Sequence, residues 1–593
     1  MKPIKIAISI GFLLIACYSV FGPALRNDFV NWDDDRFILE NTSIRSTAYH
    51  NVKAVFTSFY TGHYEPFTMM AYMLEYHFSR LRPFLYHLTN LILHSLNCLL
   101  VFWLFYLTSG RISVALLTAA LFGIHPLQVQ TVAWASGTKN VLYSFFYLGA
   151  LICYLYYLRN RFALKYYYGA LGLFICALFS KSAAVTLPVI LFGYDYFFYK
   201  RHDKKSVVEK IPFLILALVF AAVAVRGSQT QGVIREGSMR HISYMAMIPS
   251  YAFIFYLSKI FAPLKLSCLY HYAGTIEQSS YPLFFNSFLL VILLAAGVIA
   301  SQRYTKKIAF GVFFYLATLA PTLQFIPIGE MLVAEHWAYI PSLGIFFIIS
   351  EGIVALYARL KHLKLIRAVF LSGLAALICI LALISRQRCF VWQDSLSLWT
   401  DVIANYPNTA TAYNNRGAVL LEKKEYRKAY LDFVSAISID PNFYEAYLNI
   451  GTFYSEKGNY GEAIKFINKS LQINPNYLKA YDTLVSLYGN MGRHADVIGV
   501  CKKIISIDPG YALAYANLCG AYGNTGDFEK AVASCRRALE LDPDLGAAHM
   551  NLAAAYFELK QYDMAIRHCD EALKAGYGTC PKFLEALKTY RKQ

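Results

Sequence analysis

The hydrophobic positions of this chain change their period once. Up to about residue 385 they gather into twelve apolar runs, near 4–20, 86–108, 112–127, 140–158, 166–180, 183–199, 211–226, 243–260, 283–300, 308–326, 337–357 and 366–385. Runs of this kind predict helices that cross a bilayer. Beyond Trp392 charged and apolar residues alternate at helical period, as in a water-facing helical domain. The pattern predicts an all-α chain, with a polytopic membrane helix bundle over 1–388 and a second domain over 389–593.

The second part repeats itself. Pro407, Pro441, Pro475, Pro509 and Pro543 stand 34 residues apart, the spacing of tetratricopeptide repeats. Ala412, Ala446, Ala480, Ala514 and Ala548 mark the first helix of each repeat, and Ala429, Ala463, Ala531 and Ala565 the small crossing position of the second, a series Val497 interrupts. Gly458, Gly492 and Gly526 fall in the turn between paired helices, where a left-handed residue is wanted. About five such repeats stack into an α-solenoid whose concave face suits a peptide or protein partner.

Charge then assigns sides. The net charge is +18, but the Lys and Arg ahead of the repeats cluster in short loops: Lys2/Lys5, Arg159/Arg161/Lys165, Lys200 to Lys210, Arg303/Lys306/Lys307 and Arg359 to Arg367. The positive-inside rule makes these loops cytoplasmic, and no nucleic-acid partner is implied. About eleven crossings place every basic loop inside if the run 243–260, which holds Pro249 and Lys259, is interfacial or re-entrant. The amino terminus is then inside and the repeats lie on the non-cytoplasmic side. The first run reads as an uncleaved helix, since Phe21-Gly22-Pro23-Ala24-Leu25 lacks a small-x-small cleavage pattern.

Composition agrees: 57% hydrophobic and 16% charged residues exclude an ordinary soluble protein. The 12 cysteines show neither CxxC nor zinc-site spacing, so no metal finger and no disulfide framework are expected. Cys501, Cys535 and Cys569, 34 apart, read as a small buried repeat position.

Candidate chemistry begins at Asp33-Asp34-Asp35, shortly after the first run. Carboxylates at a membrane boundary must be solvated, paired or held for proton transfer. In the second run His87, Asn90, His94 and Asn97 share one helical face and, with His125, either line a hydrated groove or bond neighbouring helices. Lys139, Lys181, Arg235, Arg240 and His336 are the cations on the aspartates' side, suited to a lipid phosphate or to lipid headgroups. A divalent metal, if one is used, falls to Asp34 and Glu335; no other cofactor is implied. Nucleotide-binding glycine loops, HExxH and GxSxG elements are absent, so neither ATP nor a nucleotide sugar is indicated.

Several segments together carry a resemblance: Phe29-Val30-Asn31-Trp32-Asp33-Asp34, Tyr64-Glu65-Pro66-Phe67-Thr68, Tyr86-His87-Leu88-Thr89-Asn90, Phe122-Gly123-Ile124-His125-Pro126-Leu127, Val132-Ala133-Trp134, Ser180-Lys181 and Tyr339-Ile340-Pro341-Ser342-Leu343-Gly344. The membrane half resembles the type C glycosyltransferase superfamily, and the whole chain resembles the transmembrane and tetratricopeptide repeat O-mannosyltransferase group and its bacterial relatives. The resemblance implies a polyprenyl-phosphate sugar as donor, membrane lipid as surroundings, and Asp33 and Asp34 as the catalytic pair, Asp33 being the general base toward an acceptor hydroxyl. It implies residence in a bacterial inner membrane, or in the endoplasmic reticulum of a eukaryote. The chain departs from the family at Gln130, at Thr138-Lys139-Asn140 and at Glu335-His336, where that group has an acidic residue, Arg-Lys-Asp and Asp-Arg. Two other readings stay open: a non-catalytic membrane-anchored repeat scaffold, and a transporter, which the lack of a repeated membrane half disfavours.

Overall fold

The computed structural model describes residues 2–230, 242–270, 281–302, 305–323, 331–578 and 581–591. Its described residues are helical apart from turns and an isolated bridge between Tyr60 and His63. The chain divides into two compact units, Met1–Pro407 and Asn408–Gln593.

In the first unit every predicted apolar run is a helix. They are Lys2–Phe21, Pro83–Ser109, Ile112–Ile124, Thr138–Arg159, Leu164–Ser180, the turn-and-helix stretch from Ser182 to Tyr199, Ile211–Thr230, Ile242–Phe261, Tyr281–Ser301, Lys306–Leu319, Ser342–Arg359 and Lys364–Val391. Local chemistry sets their ends. Pro83 opens its helix, where its missing N–H is no loss, and Gly110 closes it at φ +70°, a conformation open to a residue without Cβ.

Eleven full crossings are not all matched by length. Among the described residues eight helical stretches are long and apolar enough to span, or nine if Ile112–Ile124 and Pro126–Ala133, bent by 54°, count as one. Leu164–Ser180 is shorter, and the run expected to be interfacial yields the short apolar stretch Met247–Phe261, with Pro249 inside the helix.

Ion pairs tie the basic loops down, buried at Asp195 and part-exposed at Glu351. Asp195 accepts from Lys210 Nζ at 2.5 Å, Ser206 Oγ at 2.5 Å and Tyr154 Oη at 2.8 Å. Glu351 pairs with both Arg111 and Lys307. Removing Lys210 would strand the buried Asp195 charge, at about 3–5 kcal/mol.

The helix Ser395–Asn405, assigned from sequence to the repeats, packs into the first unit instead. Trp399 donates its indole N–H to Asn31 Oδ1 at 2.6 Å and meets Trp32 edge-to-face at 5.5 Å. The compact boundary therefore follows Pro407, not residue 388.

The second unit is five antiparallel helix pairs from Ala410–Glu422 with Tyr426–Ile439 to Gly546–Glu558 with Tyr562–Lys574, followed by Pro581–Lys588. Gly458, Gly492 and Gly526 take left-handed φ in their turns, and Lys424 and Lys560 hold the same conformation in the first and last pairs. Ala429, Ala463, Ala531 and Ala565 are fully buried at the crossings, with Val497 in the same role. One expectation is overturned here: Cys535 forms a disulfide with Cys519, 16 residues earlier on the facing helix of its pair. Cys501 and Cys569 are free and buried, as a small repeat position requires.

Candidate functional site

The loop after the first helix is folded by its own carboxylate. Asp34 is fully buried; its Oδ2 accepts the Val30 N–H at 3.0 Å, and its Oδ1 accepts the Ser136 N–H at 2.8 Å and the Ser136 hydroxyl at 2.5 Å. Ser136 is brought close by a tight turn, since a Cβ on Gly137 would sit 2.2 Å from the Thr131 carbonyl. The Trp134 indole donates to the Trp32 carbonyl at 2.9 Å, clamping the same two loops a second time. Burial pushes the Asp34 carboxyl up to about 7, against the three hydrogen bonds that hold it down.

Asp33 is built differently. Its φ is +68°, a left-handed conformation that Asp tolerates better than most residues, and its side chain is half-buried. No described residue hydrogen-bonds or pairs with its carboxylate. The turn over residues 31–33 leaves this acidic group half-buried while its neighbour is fully buried and hydrogen-bonded. Of the expected pair, Asp34 is taken up by hydrogen bonds that hold the two loops together, and the Asp33 carboxylate has no such bond among the described residues.

Around Asp33 the fold collects charge. His63 feels the field of Glu65, Lys139, Lys181 and Asp33, and burial lowers its basicity. Lys139 is buried, with Nζ 4.5 Å from the centre of the Phe37 ring and 5.4 Å from that of Trp134. Lys181 donates to Asn140 Oδ1 at 2.5 Å, and Thr68 Oγ1 bonds the Ser180 carbonyl at 2.8 Å, which draws the Glu65 segment to the same place. Burial, reinforced by the neighbouring Lys139, lowers the Lys181 ammonium to about 7. Glu65 is buried, with Oε2 unpartnered. Two cations and two carboxylates therefore converge on one imidazole. His63 and Ser136 carry no signal in the sequence; Glu65 lies inside the segment Tyr64-Glu65-Pro66-Phe67-Thr68.

His336 is placed beside Trp134, ring centres 5.7 Å apart, with Nδ1 buried and unpartnered. Burial, then Lys181 and Lys139, keep its basicity well below the ordinary histidine value, so it brings no positive charge to the site. The side chain of Gln130 accepts the His336 backbone N–H at 3.1 Å. Arg235 and Arg240 lie outside the described residues.

The expected groove lining becomes scaffold. His87, Asn90, His94, Asn97 and His125 are all buried to 1% exposure or less. Asn90 donates to the Trp134 carbonyl at 2.8 Å and accepts from Thr138 Oγ1 at 2.8 Å. His94 holds Tyr339 Oη at 2.7 Å and the Gly123 carbonyl at 3.1 Å, Asn97 donates to the Val141 carbonyl at 2.9 Å, and His125 reaches the Ile260 carbonyl at 3.0 Å. Only His87 lacks a hydrogen bond.

A metal on Asp34 and Glu335 is not supported either. Glu335 Oε1 accepts the Ser267 N–H and the Tyr270 hydroxyl, each at 2.6 Å, and burial raises its carboxyl to about 7 against the pull of Arg388. Among the described residues neither carboxylate belongs to a group of His, Cys, Asp and Glu side chains close enough to surround an ion.

Residues 410–443, 444–477, 512–545 and 546–575 match the tetratricopeptide repeat family, a class of protein-interaction modules. The chain is 23% identical over 461 residues to Protein O-mannosyl-transferase TMTC3 of Mus musculus, covering 69% of this chain and 48% of that protein. The human TMTC3 is likewise 23% identical over 461 residues, with 69% and 49% covered. Of solved structures, that of YrrB, described as a TPR protein with an unusual peptide-binding site, is similar at 19% identity and TM-score 0.27, covering 33% of this chain and 98% of that one. The chain spans about half the length of the curated relatives it matches. It is a multi-pass membrane protein with a repeat domain, similar in sequence to named protein O-mannosyl-transferases.

Proposed function

We propose that this chain is an integral membrane glycosyltransferase that moves a sugar, mannose by the names of its relatives, from a polyprenyl-phosphate donor to a protein or glycan hydroxyl on the non-cytoplasmic face. The observation that carries the reading is the asymmetry of the aspartates: Asp34 saturated and buried, Asp33 half-exposed and unpartnered, with Asp33, Lys139 and Lys181 all acting on His63. Asp33 takes the proton of the acceptor hydroxyl as its oxygen attacks the anomeric carbon. The bond from that carbon to the phosphate oxygen breaks, and Lys139 and Lys181 stabilise the departing lipid phosphate. No acid is needed on the leaving side, because a phosphate leaves as an anion. The repeats then bind the acceptor protein or a partner.

The sidedness has its own support. A disulfide between Cys519 and Cys535 fits an oxidising compartment, as the positive-inside rule also requires of the repeats. Such a protein resides in a bacterial inner membrane, or in the endoplasmic reticulum of a eukaryote. A second reading, a membrane-anchored repeat scaffold without catalysis, draws on Gln130 and His336, which supply neither the carboxylate nor the cation of the O-mannosyltransferase group.

Native mass spectrometry of the full chain purified in mild detergent separates the two. A bound polyprenyl-phosphate sugar whose hexose is transferred to added acceptor supports the enzyme; a chain that neither retains nor turns over such a lipid while its repeats bind partner protein supports the scaffold.

A further inference from the structure

Three side chains beneath the aspartate loop, on the first two long helices, face one another in the core: Cys17, His94 and Cys98, all buried. Their donor atoms lie within 4.8 Å of one another, with Cys17 Sγ 3.5 Å from Cys98 Sγ and Cys98 Sγ 3.8 Å from His94 Nε2. A fourth donor closes the group. The Gly123 carbonyl oxygen is 3.1 Å from His94 Nε2 and 3.9 Å from Cys17 Sγ. Bonds of about 2.0 to 2.3 Å from a tetrahedral zinc ion put its donors roughly 3.3 to 3.8 Å apart; the Cys17–Cys98 and Cys98–His94 separations fall in that range, and the others need shifts of the side chains to reach it.

We propose that Cys17, His94, Cys98 and the Gly123 carbonyl form a structural site for a thiophilic d10 cation, zinc(II). Two thiolates neutralise a dication, whereas copper(I) would leave a net negative charge in a low-dielectric core. Binding releases the two thiol protons to solvent and leaves the site neutral. Two further features fit. Without the ion His94 Nε2–H donates to the Gly123 carbonyl; with Nδ1 2.7 Å from Tyr339 Oη, the ring can carry its proton on Nδ1 instead, donate it to that hydroxyl and turn the Nε2 lone pair to the ion. At Gly123 a Cβ would stand 2.9 Å from Cys98 Sγ and 3.4 Å from Cys17 Sγ, so only glycine brings that backbone into the sulfur pocket. Bound there, the ion would pin the first helix to Pro83–Ser109 and Ile112–Ile124, directly below the loop that presents Asp33.

The test is elemental analysis of the full chain purified without a metal-affinity step. Stoichiometric zinc is expected in the native chain and in Cys153→Ser, with at least about a tenfold drop in the double variant C17S/C98S and in Gly123→Ala. Tyr339→Phe should weaken zinc retention against a chelator about 10- to 100-fold while the thiols stay in place. Three results would overturn the proposal: a native chain free of zinc after incubation with it, with both thiols titratable; a peptide pair joined by a Cys17–Cys98 disulfide; or copper in place of zinc. The native chain alone decides, so misfolding of a variant does not blunt the test.

Discussion

Two polar regions of the membrane unit look alike in sequence and behave oppositely in the fold. The face His87, Asn90, His94 and Asn97 runs along one helix, and the acidic group Asp33-Asp34 sits in a loop. The helical face is buried and nearly all of it bonds other segments. The loop divides its two carboxylates, burying Asp34 on Ser136 and leaving Asp33 without a partner. In a core where water cannot compensate, a polar group that finds a partner becomes structure, and one left unpaired at the rim is available for chemistry. Candidate function is therefore read from what a side chain lacks.

The comparison breaks most sharply at Asp33. Asp33→Asn keeps the shape of the loop and removes the base, so turnover should fall by about 10²- to 10⁴-fold, with melting unchanged. A single-turnover transfer assay with a thermal unfolding control reads both quantities.

Next in size is a pH effect that belongs to the buried carboxylate. Asp34 has a folded value of about 7 against an ordinary 3.8. Its contribution is fully present below the unfolded value and lost as pH rises through about 7, by up to about 4 kcal/mol. Unfolding followed in detergent from pH 4 to 8 should show that decline, flattened in Asp34→Asn; Glu335, also raised to about 7, adds in the same direction.

The cations give a smaller change of a different kind. Lys139→Met and Lys181→Met should each raise the donor KM about 10- to 100-fold, the worth of a charged hydrogen bond, and leave acceptor KM alone. Because Lys181 loses its proton near 7, donor affinity in the native chain should weaken as pH rises through that value.

Asn97→Leu sharpens the other side. It removes the hydrogen bonds that Asn97 donates to the Val141 carbonyl and the Tyr339 hydroxyl, and should destabilise the fold by about 1–3 kcal/mol without altering turnover per folded molecule.

How much of this was legible in the sequence follows the reach of each interaction. Apolar runs and the 34-residue period are local patterns, and each run became a helix and each repeat a helix pair. Asp33 and Asp34 stood out because charge near a membrane boundary is rare. Their different fates depend on Ser136, 102 residues away, and no spacing rule joins those positions. The helical polar face was ambiguous for the same reason, since His94 meets Tyr339 across 245 residues. Cys535 fitted its repeat position so well that its pairing with Cys519, on the facing helix, was hidden. Trp399 and the helix that carries it looked like the opening of the repeats until Asn31 and Trp32 claimed them.

The most direct measurement of the central claim sets Asp33→Asn beside Asn97→Leu, purified in parallel and assayed at equal folded concentration for sugar transfer from a polyprenyl-phosphate donor. The account predicts a folded but inactive Asp33→Asn and a destabilised but active Asn97→Leu. Full transfer by Asp33→Asn, or equal loss in both, would contradict it.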